Sequence, residues 1–176
     1  MATSQQLIEL VAKTHEERAN LFATLLTLTE ERAAYANRDQ DGEDGWSIKE
    51  ILAPRARMDR SYRATLPRAL ELPDAPPPAP PDPDNHGLYG INDRPLVSMV
   101  AEMERERAIT MAVIAALSLD DLDRPVASPQ FGTLTALQWV RAYYRHDRQH
   151  IAQIQGRESE FRPNWVGQEP DQRRRS

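Results

Sequence analysis

Thr133–Gly156, TLTALQWVRAYYRHDRQHIAQIQG, carries the reading of the fold. Trp139, Tyr143, His146, His150 and Ile154 follow at steps of four, three, four and four, which sets them on one stripe of an α-helix turned toward a core. Thr135 and Gln138 have the spacing of a capping box, so the helix is expected to open at Thr133–Thr135 and run to about Gly156. The same periodicity recurs upstream. Leu7, Leu10, Val11, Thr14, Leu21, Leu25 and Leu28 mark a first helix over about Ser4–Ala34. Ile48, Ile51, Leu52, Met58, Tyr62 and Leu66 mark a second, opened by a Ser47/Glu50 capping box with Trp46 as a hydrophobic staple. Leu96, Val100, Met103, Arg107, Ile114 and Leu117 mark a third that starts near Pro95. No segment alternates apolar and polar residues at a period of two, so the chain is expected to be all-α, a four-helix bundle.

Between the second and third helices, seven of the eleven residues Pro73–Pro83 are proline, a composition that excludes helix and favours a stiff, extended strap. Residues 72–94 are therefore expected to form a long crossover between two hairpins, one of helices one and two, the other of helices three and four. The loop Leu119–Thr133 is broken by Pro125, Pro129 and Gly132. One domain over 1–157 and a polar tail over 158–176 follow, with Phe161 and Trp165 as the tail's docking residues. Arg173–Arg175 reads as a solvated, disordered end.

Composition narrows the function. A net charge of −5 argues against nucleic acid as a partner. The chain has no cysteine, which removes disulfides, thiolate ligands and a cysteine nucleophile and fits a cytoplasmic setting. Met1–Gln6 lacks the pattern of a signal peptide, and no apolar run nears the roughly 18 residues of a membrane span.

Two imidazoles at i and i+4 converge from one helical face, so His146 and His150 are candidate metal ligands; the competing reading is a pair of core histidines. His15 and His86 fit no ligand pattern. Asp59 is a candidate third ligand, giving two histidines and a carboxylate for zinc, nickel or iron, or else it pairs with Arg55 or Arg63 on its own helix. Asp147 points about 100° away from His146 and reads as a supporting or surface group. Arg107 and Arg141 interrupt apolar faces and either receive an anionic substrate or carry their charge out to solvent over an apolar stem. Tyr62, Tyr143 and Tyr144 offer hydroxyls to a substrate, or fill the core and its rim. No catalytic residue is otherwise assigned, and the patterns of ferritin-like, phosphate-loop, nucleophile-elbow and zincin sites are absent from the sequence.

GWSIKEILA (45–53), the strap, and SPQFGTLTALQWVRAYYRHDRQHIAQI (128–154) together resemble the DinB-like, or DinB/YfiT, superfamily of four-helix bundles, over about Gln6–Arg157. The resemblance implies a three-histidine metal site in which His146 and His150 supply two ligands and the first falls on Pro54. It also implies metal-dependent hydrolysis, or transfer or isomerisation dependent on a small thiol such as bacillithiol or mycothiol, on a small-molecule ligand, with a homodimer as the assembly. Pro54, seven residues after the Ser47 cap, is expected to cost roughly 3 kcal/mol or to kink the helix. The sequence thus leaves two readings: a mononuclear metal enzyme with a degenerate site, or a binding or dimerisation module that has lost the metal.

Overall fold

The computed structural model describes residues 1–39, 45–72, 75, 77, 88–128, 132–158, 160–162 and 173–174; at 55–58, 62, 128, 132, 161–162 and 173–174 the description stops at the backbone. Four long helices carry the fold: α1 (Ser4–Leu26), α3 (Ile48–Ala69), α4 (Leu96–Ala115) and α6 (Ala136–Ile154). Two short helices, α2 (Glu30–Ala34) and α5 (Leu119–Asp123), punctuate the connections. The first helix ends earlier than its periodicity suggests because Thr29 starts a new one, its side chain accepting from the Arg32 N–H.

Local capping sets the other starts. Both expected capping boxes are present, Ser47 with Glu50 and Thr135 with Gln138. Ser47 is fully buried, and its Oγ also meets Asn92 Oδ1 at 2.6 Å, which ties the start of α3 to the turn preceding α4. Ser47→Ala removes the cap and this tie together. It is expected to cost about 1–2 kcal/mol, read as a lower urea midpoint with unchanged slope.

Packing departs from the expected hairpins. Lys13 lies over Tyr144 and Glu17 meets Arg148, so α1 and α6 run parallel, side by side. The N-terminal ends of α3 and α4 meet through Asn92, and farther along Asp59 meets Arg107, so these two are also parallel neighbours. Ala2 N–H donates to Asp123 and Arg124 donates to the Leu70 carbonyl, so α1 begins at the end of the bundle where α3 finishes. The order is up, down, down, up. It requires one crossover spanning the bundle's length between α3 and α4, where the proline-rich segment lies. Most of that strap, including His86, falls outside the described residues, as does Trp165.

The loop after α4 also differs from expectation. Pro125–Ser128 (β1) and Gly132–Thr135 (β2) pair antiparallel, and Val126 and Leu134, opposite one another, are buried in the core. Four-residue strands are too short for a period of two to stand out. A second backbone pairing, β3 (Phe161–Arg162) with β4 (Arg173–Arg174), orders two pieces of the expected tail. Among the described residues no helix is long and apolar enough to cross a membrane.

The core is in two parts. One cluster gathers Leu66, Leu70, Met111, Ile114, Leu122, Val140 and Tyr143. The other gathers Leu21, Leu25, Leu52, Leu96, Met103 and Ile151. On every long helix a buried charged residue at the level between the two clusters turns toward the other three.

Candidate functional site

Those residues are Arg18 of α1, Asp59 of α3, Arg107 of α4 and Asp147 of α6, all at most 6% exposed. They close a ring of alternating charge. Arg18 Nε donates to Asp147 Oδ2 at 2.9 Å and its Nη2 to Asp59 Oδ2 at 3.2 Å. Arg107 Nε lies 3.0 Å from Asp59 Oδ1 and its Nη2 3.4 Å from Asp147 Oδ2. The Arg107 Nε contact is off the N–H direction, so it is an ion pair rather than a hydrogen bond. Each guanidinium also rests on an aromatic ring: Arg107 lies 5.0 Å from the Tyr143 centroid and Arg18 5.7 Å from that of Phe22.

The ring settles where several expected site residues go. Asp59 pairs with Arg18 and Arg107 from other helices; Arg63 turns instead to Glu106 at 2.9 Å, and the Arg55 side chain lies outside the described residues. Asp147 is neither a surface group nor a bystander. The direction that carries it 100° from His146 points at α1, because α6 is buried on a wide arc against a parallel neighbour. Arg107 does not reach solvent, and its charge is already matched by two carboxylates. Tyr143 is buried beneath it and Tyr144 lies under Lys13. Arg141 is half-buried on α6, and the Tyr62 side chain lies outside the described residues.

Burial pushes the Asp59 carboxyl above its ordinary range and the neighbouring Asp147 charge adds to this, against the pull of Arg107 and Arg18. Folding therefore takes up a proton at Asp59. Its contribution to stability is whole below the ordinary carboxylate range and is lost as pH rises through the raised value. Urea midpoints of wild type and Asp59→Asn, compared from about pH 3 to 8, are expected to show the wild type's relative stability falling as pH rises. A constant difference would contradict the raised carboxyl.

His150 is buried and His146 half-buried, with ring centroids 4.9 Å apart. Two imidazoles on one tetrahedral ion at about 2.1 Å place their centroids roughly 5 Å apart, so the pair suits a shared cation. His150 Nδ1 is 2.9 Å from Gln153 Oε1; with the proton on Nδ1, the Nε2 lone pair becomes the ligating one. The rest of a metal centre does not follow. Pro54 is buried inside α3 and carries no donor, Asp59 is held by the two guanidinium groups, and among the described residues no three His, Cys, Asp or Glu side chains form a group able to hold a metal. Among the described residues the donor set therefore does not fit a three-ligand ion.

A separate groove of about 600 Å³ opens between the C-terminal halves of α1 and α6. Glu16, Asn20, Thr24, Arg148 and Gln155 are among its lining residues, and neither histidine is.

The ring could have been found in the sequence only as one charge interrupting each apolar pattern, two positive and two negative. Arg18 and Gln153 were not singled out there, because each has the composition of an ordinary wet helical face.

Comparison with known proteins gives three findings. The model of the DinB superfamily matches residues 13–154. The uncharacterized protein YuaE of Bacillus subtilis (strain 168) is 25% identical over 152 residues, covering 80% of this chain and 91% of YuaE. The structure of YfiT from Bacillus subtilis, described as a probable metal-dependent hydrolase with an unusual four-helix bundle topology, superposes with a TM-score of 0.70 at 17% identity, over 89% of this chain and 87% of that one.

Proposed function

Since this chain belongs to the DinB superfamily, we propose that it uses the bundle as a small-molecule binding module and has given up the three-donor metal centre that the family resemblance implies. The observation that carries this reading is the fate of the third donor. Position 54 has become proline, and the nearest carboxylate candidate on the same helix, Asp59, is committed to Arg18 and Arg107. Ion pairs buried this deeply are costly to break, because each freed charge would remain out of water. A ligand would then be held by shape and polar contacts between the helices.

The spacing of His146 and His150 favours a second reading, in which the chain is a metal-dependent hydrolase like the activity ascribed to YfiT. Metal analysis separates the two. Protein purified and dialysed against zinc, nickel or iron salts is expected to retain well below one equivalent, with a melting temperature unmoved by chelator. Stoichiometric metal that disappears in His146→Ala and His150→Ala would return the hydrolase reading.

A further inference from the structure

We infer that the groove between α1 and α6 binds a small organic cation through a primary ammonium group, anchored on the open oxygen of Glu17. This rests on the binding-module reading and names the ligand class for it. At about 600 Å³ the groove has the size of a small-molecule site, and no residue of the charged ring lines it. Asn20, Ala23 and Thr24 of α1 form one side, Ile151 and Gln155 of α6 the other. Beyond α6 the chain turns at Gly156, φ +65°, and comes back far enough for Glu160 to meet Arg148 at 2.8 Å, which adds a third side.

Glu17 supplies the observation that points to a ligand. It is only 5% exposed, and both of its bonds from Arg148, Nε at 2.9 Å and Nη2 at 2.5 Å, fall on Oε1. Among the described residues nothing donates to Oε2, yet that oxygen is not sealed in, and the side chain that carries it lines the groove. A nearly buried carboxylate oxygen without a donor calls for one. The surrounding charge decides which kind. One guanidinium, that of Arg148, serves both Glu17 and Glu160, so this trio carries one negative charge in excess. Glu16 and Glu158 bring two more carboxylates to the lining, against Arg157, whose Nε turns to the neutral Gln155 oxygen at 3.0 Å. The lining is thus net negative and complementary to a cation. Ala23, Ile151 and Ala152 add apolar surface, which suits an ammonium on a short hydrocarbon chain; a bare metal ion would leave most of the 600 Å³ unfilled.

The test is thermal melting of the full chain at neutral pH in n-butylammonium chloride, against tetramethylammonium chloride and sodium chloride at equal concentration. The two organic cations have the same atoms and charge, but only the first has N–H groups to donate. At about a hundredfold excess over Kd, n-butylammonium is expected to raise the melting temperature by roughly 5 °C or more, with tetramethylammonium no different from sodium. Glu17→Gln removes the charge while keeping an acceptor for Arg148, and is expected to weaken n-butylammonium binding at least tenfold. Ala23→Trp, at an exposed position of the lining, leaves the carboxylates in place and fills the groove, so it is expected to abolish the shift. Equal melting in all three salts overturns the site, as does an equal shift with both organic cations, or a shift that survives either substitution. Should Glu17→Gln fail to fold, Ala23→Trp gives the same decision. None of these failures touches the metal analysis, which tests the binding-module reading by itself.

Discussion

Asp147→Ala is expected to lower stability by about 3–5 kcal/mol, a drop in melting temperature of roughly 6–20 °C for a chain of this size. Asp147 Oδ2 faces both Arg18 Nε and Arg107 Nη2, so removing it leaves two guanidinium groups, almost wholly out of water, sharing Asp59 alone. The penalty comes from the stranded charge and not from the worth of the pair. Replacing the whole ring by apolar residues of similar volume, Arg18→Met with Asp59→Leu, Arg107→Met and Asp147→Leu, is accordingly expected to be neutral or to stabilise by about 1–4 kcal/mol. Urea unfolding of the two variants checks both signs. If Asp147→Ala cost less than about 1 kcal/mol, the range of an exposed pair, the ring would have to be solvated.

A ring that adds little net stability still constrains geometry. Parallel neighbours such as α1 with α6 can slide by a turn, about 5.4 Å, and keep apolar faces in contact. The ring contacts, all within 3.4 Å, do not survive such a slip.

That register is what the sequence could not convey. Ser47 with Glu50, and Thr135 with Gln138, sit three residues apart, and both helix starts were legible because a capping box is a local object. The crossover was legible for the same reason, since proline acts on its own backbone. Which helices touch depends on contacts 129 residues apart, as between Arg18 and Asp147, and no local pattern encodes them. The hairpin expectation failed there, and of the two readings of Asp147, a supporting or a surface group, the surface one failed with it. His146 and His150 were legible as a pair because i, i+4 spacing brings side chains together on any α-helix. The commitment of Asp59 was not, because its partners lie on α1 and α4.

Pro54→His is expected to convert the pair into a zinc site and to raise the melting temperature in two separable steps. The first is repair of α3. Proline at 54 cannot donate to the Glu50 carbonyl and crowds it, a defect of up to about 3 kcal/mol, part of which any residue with an N–H recovers. Pro54→Ala isolates this step and should melt above wild type with no response to zinc. The second step needs the imidazole. With His146 and His150 already 4.9 Å apart, a third nitrogen from position 54 completes the ligand number of a catalytic-type zinc ion. Zinc at about a thousandfold excess over Kd would then add roughly 4 kcal/mol, because binding to the folded state alone stabilises it by mass action. Elemental analysis should count close to one zinc per chain in Pro54→His and none in Pro54→His/His150→Ala. A Pro54→His protein that melts below wild type and takes up no zinc would mean that position 54 does not face the histidine pair, and the family's ligand geometry could not be carried over to α3.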